Sequence, residues 1–328
     1  MAADSAYTLA DFESRATSPF EKGVIRTWRE KAPIMERLKW TQHSSLDIKI
    51  FRTKALPEGD AWLDFDEALP NMRGTTESYV ERVHKIGGKI DIPKAWTLPD
   101  SIVDERVNQR EMALEAMACD FNDALVNGDP TTNSKTMVGL FYRFNTPAII
   151  PAAQTVLGGG YDISPNTAVT DWYFGILDKL EELRSLCEGG DCDAFLLDTT
   201  THMRIEAGLR RSGLLSFSVD QVGRRFMTYG NGGPLFIPSG YKSDQTTKLI
   251  LHTEDDAGTA KTGGDATSIY ALKFGDPYLA GFYLQDIRVE DKGELEDGVN
   301  MRDVVDWYPG IYHTHPRAMA RLVGIVAA

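Results

Sequence analysis

The chain has 328 residues, enough to bury a large core in one large domain or two modest ones. Apolar residues make up 42% and charged residues 25%, which is ordinary for a soluble globular protein, and no apolar run approaches the roughly 18 residues that a membrane span needs. The formal charge of −13 argues against sequence-specific DNA binding, because proteins that bind nucleic-acid phosphates usually have a net positive charge.

The N-terminus and the cysteines indicate a cytoplasmic protein without disulfides. Acidic residues stand where a signal peptide needs a basic region, and no apolar stretch follows. Three cysteines are too few for a disulfide framework, and Cys119 is predicted to be a small buried group inside a helix. Cys187 and Cys192 flank Glu-Gly-Gly-Asp, so a metal site or a disulfide is conceivable there, although no further soft ligands lie nearby.

Residues 1–40 begin as a flexible arm and become helical. Apolar side chains at irregular helical spacing around Pro33 predict a short amphipathic helix, which needs a surface to lie on. That surface is either the chain's own domain or a neighbouring subunit. The apolar positions are Val24, Ile25, Trp28, Ile34, Leu38 and Trp40.

Residues 44–95 have the pattern of an extended hairpin. LDIKIFR alternates as a half-exposed strand should, with Leu46, Ile48 and Ile50 on one face. A polar segment, residues 57–74, separates it from a second β-type segment at 79–93. Such a hairpin could hardly be stable alone in water, so we expect it to find contacts outside its own core.

The clearest helix runs from Ser101 to Asn127. Ser101 is a candidate N-cap with Asp104 three residues on, and Gly128 is the natural stop. About 27 residues would span on the order of 40 Å. Its apolar stripe is expected to pack on a sheet formed partly by a closing strand at 322–326, with Arg110 and Glu111 on the opposite face. The stripe consists of Val103, Val107, Leu114, Met117, Phe121 and Leu125.

The next elements in chain order are predicted from pattern and turn chemistry. A strand at 139–144 precedes a Pro- and Gly-rich loop ending in GGGYD, and Thr170 caps a helix with Trp172, Ile176, Leu180 and Leu183 on one face. A buried strand is predicted at 193–199, a helix at 200–211, a hairpin around Gly230 to Gly233, and a mobile polar loop at 242–266.

The last sixty residues, 267–328, alternate β-type runs with turns. TSIYALKFG opens a first strand and LAGFYLQDIRV a second, followed by an acidic turn at 290–297 and a strand through 304–308. A His-Pro pair and a small-residue helical turn then lead to the closing apolar strand at 322–326.

Few residues suggest chemistry. His313 and His315 form an H-x-H pair whose rings would share one face of a strand, a workable start for a metal site, but no third ligand is evident and a packed or solvated pair is the commoner case. His202 and His252 could enter a Ser/His/Asp arrangement, yet no G-x-S-x-G elbow is present.

The Gly-rich and acidic segments have simpler explanations than ligand binding. Gly158 to Gly160 and Gly230 to Gly233 match neither a phosphate-binding loop nor a dinucleotide fingerprint. Glu254 to Asp256 could hold a divalent cation, but a solvated loop is favoured. The sequence therefore predicts no catalytic, cofactor or metal site, and no enzyme.

Six phrases of the chain, in order, resemble the major capsid protein of tailed double-stranded DNA phages, the Hong Kong 97-type capsid family. Residues 1 to about 40 resemble its N-arm and 44–95 its extended loop, and EMALEAMACDFNDALVNGD resembles its spine helix. TNSKTMVGLFYRF resembles the segment after the spine, and DAFLLDTTTHMRIEAGLRRSG its strand-then-helix element, with Asp198 where Asn is more usual. FMTYGNGGPLFIP and TSIYALKFG resemble the hairpin and strand of the A-domain.

The resemblance implies an α+β Hong Kong 97-like fold with approximate boundaries. These are an N-terminal arm at 1–43, an extended loop at 44–96, the spine helix and first part of the P-domain at 97–170, an A-domain at 171–298 and P-domain closing strands at 299–328. Lys54 and Asn300 are of the types that some relatives cross-link, but no matching Glu stands beside them, so cross-linking is not carried over.

The function implied is self-assembly into hexamers and pentamers of an icosahedral head, the virion capsid, put together in the host cytoplasm. Its partners would be other copies of itself, scaffolding, portal and decoration proteins, and packaged DNA contacted non-specifically; no membrane is implied. An acidic wall suits such a container, since a polyanion must pack inside without sticking. The alternatives are an encapsulin-like bacterial nanocompartment shell and a soluble cytosolic enzyme using His313 and His315.

Overall fold

The computed structural model describes residues 7–15, 22–23, 25–28, 32–55, 57, 62–63, 68–69, 71–97, 105–165, 167, 171–219, 225–230, 232–296 and 298–327. Within them the α-helices with described bounds are α1 (Leu9–Arg15), α2 (Pro33–Arg37), α3 (Glu105–Asn127), α4 (Leu140–Phe144), α5 (Trp172–Leu186) and α6 (Thr199–Ser212). Residues 22–23 and 25–28 are also helical. The strands are β1 (Trp40–Gln42), β2 (Asp47–Ala55), β3 (Thr75–Arg82), β4 (Ile86–Pro93), β5 (Thr155–Asp162), β6 (Ala194–Leu197), β7 (Leu215–Val219), β8 (Arg225–Tyr229), β9 (Leu235–Pro238), β10 (Thr267–Leu272), β11 (Leu279–Tyr283), β12 (Arg288–Glu294), β13 (Asn300–Trp307), β14 (Pro309–His313) and β15 (Met319–Val326).

A seven-stranded mixed sheet, in the order β5-β15-β10-β6-β9-β8-β7, separates two hydrophobic cores. Side chains alternate across it: Phe195 and Ile269 enter the core under α5 and α6, while Leu196 and Tyr270 enter the core shared with α3. Burial on both faces explains why β6, β10 and β15 are near-continuous apolar runs in the sequence.

Three smaller sheets build the rest of the body. β4 pairs with β13, which pairs with β12, all antiparallel. β11 lies between β1 and β14, and β2 pairs with β3 as a separate two-stranded hairpin. The predicted extended hairpin is therefore present. The second β-type segment, however, is two strands, because only β3 pairs with β2 while β4 joins β13.

The N-terminal segment is part of the chain's own core. Trp28 and Trp40 are fully buried, and their rings pack on Trp307 with centroids 5.3 Å and 4.9 Å apart. The indole of Trp28 donates a hydrogen bond to the Leu114 carbonyl at 3.1 Å, and that of Trp40 donates to the Met35 carbonyl at 3.1 Å. Of the two surfaces considered for this segment, the structure shows the chain's own domain; Val24 lies outside the described residues.

Helix α3 confirms the long spine-like helix, with one correction in its apolar stripe. The described helix is Glu105–Asn127, and Ser101, Val103 and Asp104 lie outside the described residues. Val107 was expected in the buried stripe but is 45% exposed. Gly128 ends the helix, and a Cβ there would stand 2.2 Å from the Met137 carbonyl oxygen, so the close return of the chain requires glycine.

Several loop and strand predictions are wrong. Residues 140–144 form the short helix α4 rather than a strand, and GGGYD lies in strand β5, parallel to β15. The acidic segment 290–294 belongs to strand β12, so the turn comes later than predicted. The small-residue turn predicted after His315 is a single turn, in which the Ala318 amide donates to the His315 carbonyl at 3.1 Å. Thr170 lies outside the described residues, and Asp171 is the N-cap of α5.

The remaining predictions in this part of the chain agree with the structure. The helices at 172–186 and 199–212, the buried strand β6 and the hairpin β8–β9 are all present. The expected face of α5 is buried, through Trp172, Ile176, Leu180 and Leu183. Gly230 and Gly232 have the positive φ angles of 69° and 78° that favour glycine in the turn.

The closing strand is present and its sheet shares a hydrophobic core with α3, but it is not the strand that α3 contacts most closely. β15 lies between β10 and β5 in the seven-stranded sheet. Helix α3 packs instead on β4, and its Phe121 faces Trp40 and Trp307 at centroid distances of 6.3 Å and 6.1 Å. The apolar stripe of α3 thus meets the sheet of β4, β13 and β12 together with the N-terminal segment.

The sequence places Arg110 on the face of α3 opposite the apolar stripe, but the structure gives it a buried partner. Its guanidinium donates to both carboxylate oxygens of Asp303, at 2.5 Å and 2.7 Å, and the Asp303 side chain is fully buried. Arg110→Ala should lower the free energy of unfolding by roughly 3–5 kcal/mol, because a buried carboxylate then loses its cation. Urea unfolding measures the loss. Glu111→Ala, an exposed neighbour, is the control and should change it by less than about 0.5 kcal/mol.

If charge burial is the cause, Asp303→Asn added to Arg110→Ala should recover part of the lost stability, because the neutral amide is cheaper to bury. Equal stability of Arg110→Ala and the wild-type protein would contradict the prediction.

Candidate interaction surfaces

The outer face of the β2–β3 hairpin presents apolar side chains to solvent. In the register of the pair, Lys49 is opposite Val80 and Phe51 opposite Ser78, and these residues point away from the body. Phe51 is 62% exposed and Val80 61% exposed. Large apolar side chains left exposed on a narrow ribbon indicate a surface that another molecule covers.

The described residues of the hairpin tip continue that surface. Trp62 is 90% exposed and Leu69 88% exposed, and Met72 is also exposed. A tryptophan that leaves 90% of its surface in solvent is available to another molecule, and tryptophan is strongly enriched at the centres of protein interfaces.

The inner face of the hairpin is fixed to the body by a buried polar network, here called the hairpin anchor: Arg52, Tyr79, Glu81, Arg143 and His313. Arg52 and Glu81 are on the hairpin, Arg143 on α4 and His313 at the end of β14. The Arg143 Nη1 lies 2.6 Å from the Glu81 carboxylate and 3.1 Å from the His313 Nδ1.

Backbone carbonyls complete the anchor. Arg143 donates to the Val138 carbonyl at 3.0 Å and the Ile311 carbonyl at 3.2 Å, and Arg52 donates to the Ala148 and Ile149 carbonyls. The Tyr79 hydroxyl donates to the His313 carbonyl. Because these bonds join four separate segments, the base of the hairpin is held rigidly in one orientation.

Burial sets the protonation states in the anchor. Desolvation, reinforced by the Arg143 charge, holds the pKa of His313 well below its usual value, so the ring is neutral at pH 7. Its Nε2–H donates to the Ile149 carbonyl at 3.4 Å and its Nδ1 accepts from Arg143. Desolvation also raises the pKa of Glu81 against the opposing charge of Arg143, and raises that of Tyr79 to about 12.

Sequence analysis missed Arg52, Glu81 and Arg143, although a signal for two of them existed. In β2, period two places Arg52 on the same face as Ile48 and Ile50, the face predicted to be buried. Glu81 is opposite Ile48 on β3, hence on that face too. Charges that face inward on paired strands predict buried ion pairs. Arg52 does pair with Glu77, its cross-strand neighbour, whereas Glu81 pairs with Arg143. Arg143 could not be found this way, because α4 was taken for a strand.

The H-x-H pair does not form a site. His313 is buried in the anchor, whereas His315 lies beyond the end of β14 and is half-buried, with its Nε2 3.9 Å from the Glu188 carboxylate. Its ring is 6.1 Å from that of Tyr278. The two imidazoles therefore take part in different contacts.

His313→Ala should cost roughly 2–4 kcal/mol of stability, because it leaves a cavity and removes a partner of the buried Arg143. Thermal unfolding of the purified subunit measures this. His315→Ala is the matched control, and as a partly exposed side chain it should change stability by less than about 1 kcal/mol. Equal effects of the two substitutions would contradict the anchor.

The pH dependence of His313→Gln gives a further test. A histidine with a depressed pKa in the folded state contributes stability above its unfolded pKa, near 6.5, and loses it as pH falls towards the folded value. The stability advantage of the wild type over His313→Gln should therefore shrink between pH 7.5 and pH 5.5. Taking the difference removes the contribution of Glu81, which both proteins contain. An advantage that stays constant or grows on acidification would contradict the assignment.

His252 and Asp198 belong to a second polar cluster, at the start of α6. Asp198 is the N-cap of α6 and accepts from the Thr200 amide at 2.8 Å. The His252 Nε2 is 2.7 Å and the Lys248 Nζ 2.9 Å from its carboxylate. Burial opposes ionisation, but these hydrogen bonds lower the pKa of Asp198 to about 2. The cluster fixes the loop before β10 to α6. His202 contacts it through its backbone amide, which donates to the Asp198 carbonyl at 2.8 Å.

The acidic loop is less solvated than predicted. Glu254 is buried, and its carboxylate lies 3.0 Å from Arg321 Nη2 and accepts from the Ser268 hydroxyl. Arg321 also stacks over the rings of Phe141 and Tyr270, at 4.7 Å and 5.5 Å. These contacts fix the loop to strands β10 and β15.

The glycine-rich segments and the cysteines also have structural roles. Gly158 lies in β5, where a Cβ would stand 2.6 Å from the Gly324 carbonyl oxygen, so close strand packing explains that glycine. Cys119 is half-buried rather than buried, and Cys187 and Cys192 are both buried free thiols. Across the described ranges, no three His, Cys, Asp or Glu side chains are grouped as a metal site.

A second exposed apolar surface lies at the β7 end of the seven-stranded sheet. Among the described strands β7 pairs with β8 alone, and Leu214, Phe217 and Val219 are exposed along it. The Arg225 guanidinium lies over the Phe217 ring at 5.0 Å. An unpaired strand edge with exposed apolar side chains is a surface that proteins usually cover.

No described helix is long and apolar enough to cross a bilayer.

Comparison with known proteins identifies the architecture. No protein-family model and no curated protein sequence matches the chain. Among solved structures, the holo-SrpI encapsulin complex from Synechococcus elongatus is 17% identical, with 97% of this chain and 96% of that chain covered and a TM-score of 0.58. The capsid of a native GTA particle is 11% identical, with 89% and 90% covered and a TM-score of 0.58.

A third structure, of Microbacterium phage Oxtober96, is 11% identical over 89% of this chain and 90% of that chain, with a TM-score of 0.54. At such low identities a match over nearly the whole chain reports shared fold rather than shared sequence. The chain therefore has the α+β Hong Kong 97-type capsid fold.

Proposed function

We propose that the protein is a phage major capsid protein, which assembles into the hexamers and pentamers of an icosahedral head enclosing double-stranded DNA. The observation behind this is the hairpin: its inner face is held by a buried ionic network while Phe51, Val80, Trp62 and Leu69 are presented outward. A rigid projection with an apolar outer face gains most from a neighbouring copy, and repeated head-to-tail contacts of this kind close into rings.

The domain boundaries follow the same proposal. Residues 1–43 and 44–96 would be the arm and extended loop, 97–170 the spine and first part of the P-domain, 171–298 the A-domain and 299–328 the closing strands. The virion would be its final location, after assembly in the host cytoplasm. Scaffolding, portal and decoration proteins would be further partners, and the charge of −13 favours weak, non-specific contact with packaged DNA.

An encapsulin-like nanocompartment shell is the second candidate. The encapsulin match covers 97% of the chain at the same TM-score as the GTA capsid match, so the fold favours neither over the other. The contents of purified particles distinguish the two: nuclease-protected DNA supports a head, and a co-purifying cargo enzyme supports a nanocompartment.

An enzyme using His313 and His315 is disfavoured by geometry. His313 is buried with both ring nitrogens engaged, and His315 contacts a different part of the molecule. A general base must reach its substrate within hydrogen-bonding distance, which a fully enclosed imidazole does not allow.

Size-exclusion chromatography followed by negative-stain microscopy tests the proposal. The expressed protein should elute as capsomers or shells and show rings or closed particles. A protein that stays monomeric or dimeric across a wide concentration range, and in the presence of phage-infected cell lysate, would contradict a shell function of either kind.

A further inference from the structure

We propose that Cys187 and Cys192 form a redox-sensitive dithiol, which a peroxide converts into an intramolecular disulfide that ties the end of α5 to the start of β6. The inference concerns a modification site and does not depend on shell assembly. It follows from how the chain turns between these two elements and from the charges placed around the turn.

The turn brings both thiols into the same core. Cys187 is the C-cap of α5, and Cys192 comes two residues before β6. Between them Gly189 and Gly190 have φ angles of 76° and 68°, and the Gly190 amide donates to the Cys187 carbonyl at 3.0 Å. The two cysteines are 0% and 4% exposed and lie in one hydrophobic cluster, close enough for each thiol to shift the pKa of the other.

Two cations make the thiols unequal. Arg317 donates to the carbonyls of Leu186 and Cys187, at 3.0 Å and 3.4 Å, and Lys273 donates to the Glu188 carbonyl at 2.6 Å. The hydrogen bond from Cys192, together with these charges, lowers the pKa of Cys187 although burial opposes it. The pKa of Cys192 is raised by the same hydrogen bond and by burial. Because Arg317 contacts the Cys187 carbonyl and Lys273 the carbonyl of the next residue, their positive charge favours the Cys187 thiolate, so we assign Cys187 as the nucleophile and Cys192 as the resolving thiol.

The step balances with hydrogen peroxide as the oxidant. The Cys187 thiolate attacks one peroxide oxygen, the O–O bond breaks, and Cys187 becomes a sulfenic acid with release of hydroxide, which takes a proton. The Cys192 sulfur then attacks the Cys187 sulfur, its proton and the sulfenic hydroxyl leave as water, and the S–S bond forms. Two thiols lose two electrons and two protons, and the peroxide is reduced to two waters.

A metal site is the competing use of such a pair, and the neighbouring carboxylates argue against it. The Glu188 carboxylate lies 3.5 Å from Arg317, and that of Asp191 lies 2.8 Å from Arg184. Both are committed to cations, whereas a closed zinc site needs four ligands in tetrahedral geometry. Oxidation needs the two sulfurs alone, closing to a bond of about 2.05 Å.

Peptide mass mapping tests the proposal on the intact folded protein. Trypsin leaves both cysteines in the single peptide 185–204, and Cys119 in 111–135. After peroxide, quenching and alkylation under denaturing conditions, peptide 185–204 should have lost two hydrogens and taken up no alkyl group. Treatment with dithiothreitol should restore two alkylation sites. The oxidised protein should also melt a few degrees higher, since the cross-link restricts the unfolded chain.

Two variants separate this chemistry from general oxidation. Cys119→Ser, the matched control, should still lose two hydrogens from peptide 185–204. Cys192→Ser removes the resolving thiol, so Cys187 should instead form a sulfenic acid that dimedone traps. The proposal is overturned if the wild-type peptide still takes two alkyl groups after Cys119 has been oxidised, or if wild type and Cys192→Ser give the same dimedone adduct. The wild-type peptide alone decides the question if Cys192→Ser does not fold.

Discussion

Phe121→Ala should lower the free energy of unfolding by roughly 3–5 kcal/mol, a large share of the 5–15 kcal/mol typical of a domain. Phe121 is fully buried, and its ring faces those of Trp40 and Trp307. Truncation leaves a cavity where α3, the N-terminal segment and β13 meet, and two large indoles cannot easily collapse into it. The subunit should therefore unfold before it can assemble.

Limited proteolysis and urea unfolding of soluble subunits check this result. Val107→Ala is the matched control, because Val107 is on the same helix but 45% exposed, and it should change stability by less than about 1 kcal/mol. If Phe121→Ala is as resistant as the wild type, the helix does not depend on this aromatic core.

Replacing residues 57–74 by Asn-Gly should abolish closed shells while leaving a folded subunit. The anchor keeps the base of the hairpin in place, and Leu56 with Asn-Gly makes a three-residue loop between Ala55 and Thr75, which are paired. What is removed includes Trp62 and Leu69, which are almost fully exposed in the isolated chain. Their burial by a neighbour would supply energy to assembly rather than to folding.

Circular dichroism, thermal unfolding and negative-stain microscopy of the deletion variant separate the outcomes. A near-native spectrum and melting temperature with no particles is the expected result. Unfolding of the variant would show that the tip belongs to the core, and normal shells would show that it makes no essential contact. Trp62→Ala is a milder companion, expected to slow assembly without changing the melting temperature.

Period and turn chemistry predicted most individual elements. The alternation of β2, the stripe of α3 and the buried face of α5 each record which side of one segment avoids water, and that information is local. Element boundaries and short helices were harder to predict from the sequence. LFYRF contains aromatic residues that favour strands, yet it is helical because Gly139 and Asn145 bound a single turn that buries Arg143.

The candidate surfaces were predicted in part. The hairpin followed from the sequence, and so did its need for contacts outside its own core. The anchor did not, since it joins residues as far apart as Glu81, Arg143 and His313. The sequence does not show which distant residue will form an ion pair with a given charged side chain.

The sequence by itself determined the type and order of most elements, the acidic charge, the extended hairpin and the resemblance to the capsid fold. Only the tertiary structure decided which elements meet: β15 with β5 and β10, Arg110 with Asp303, and the N-terminal segment within the core. The physical reason is that periodicity reports how much surface a segment must bury. Which segment it packs against depends on the total free energy of burial, strand pairing and charge interactions between segments that are distant in the chain.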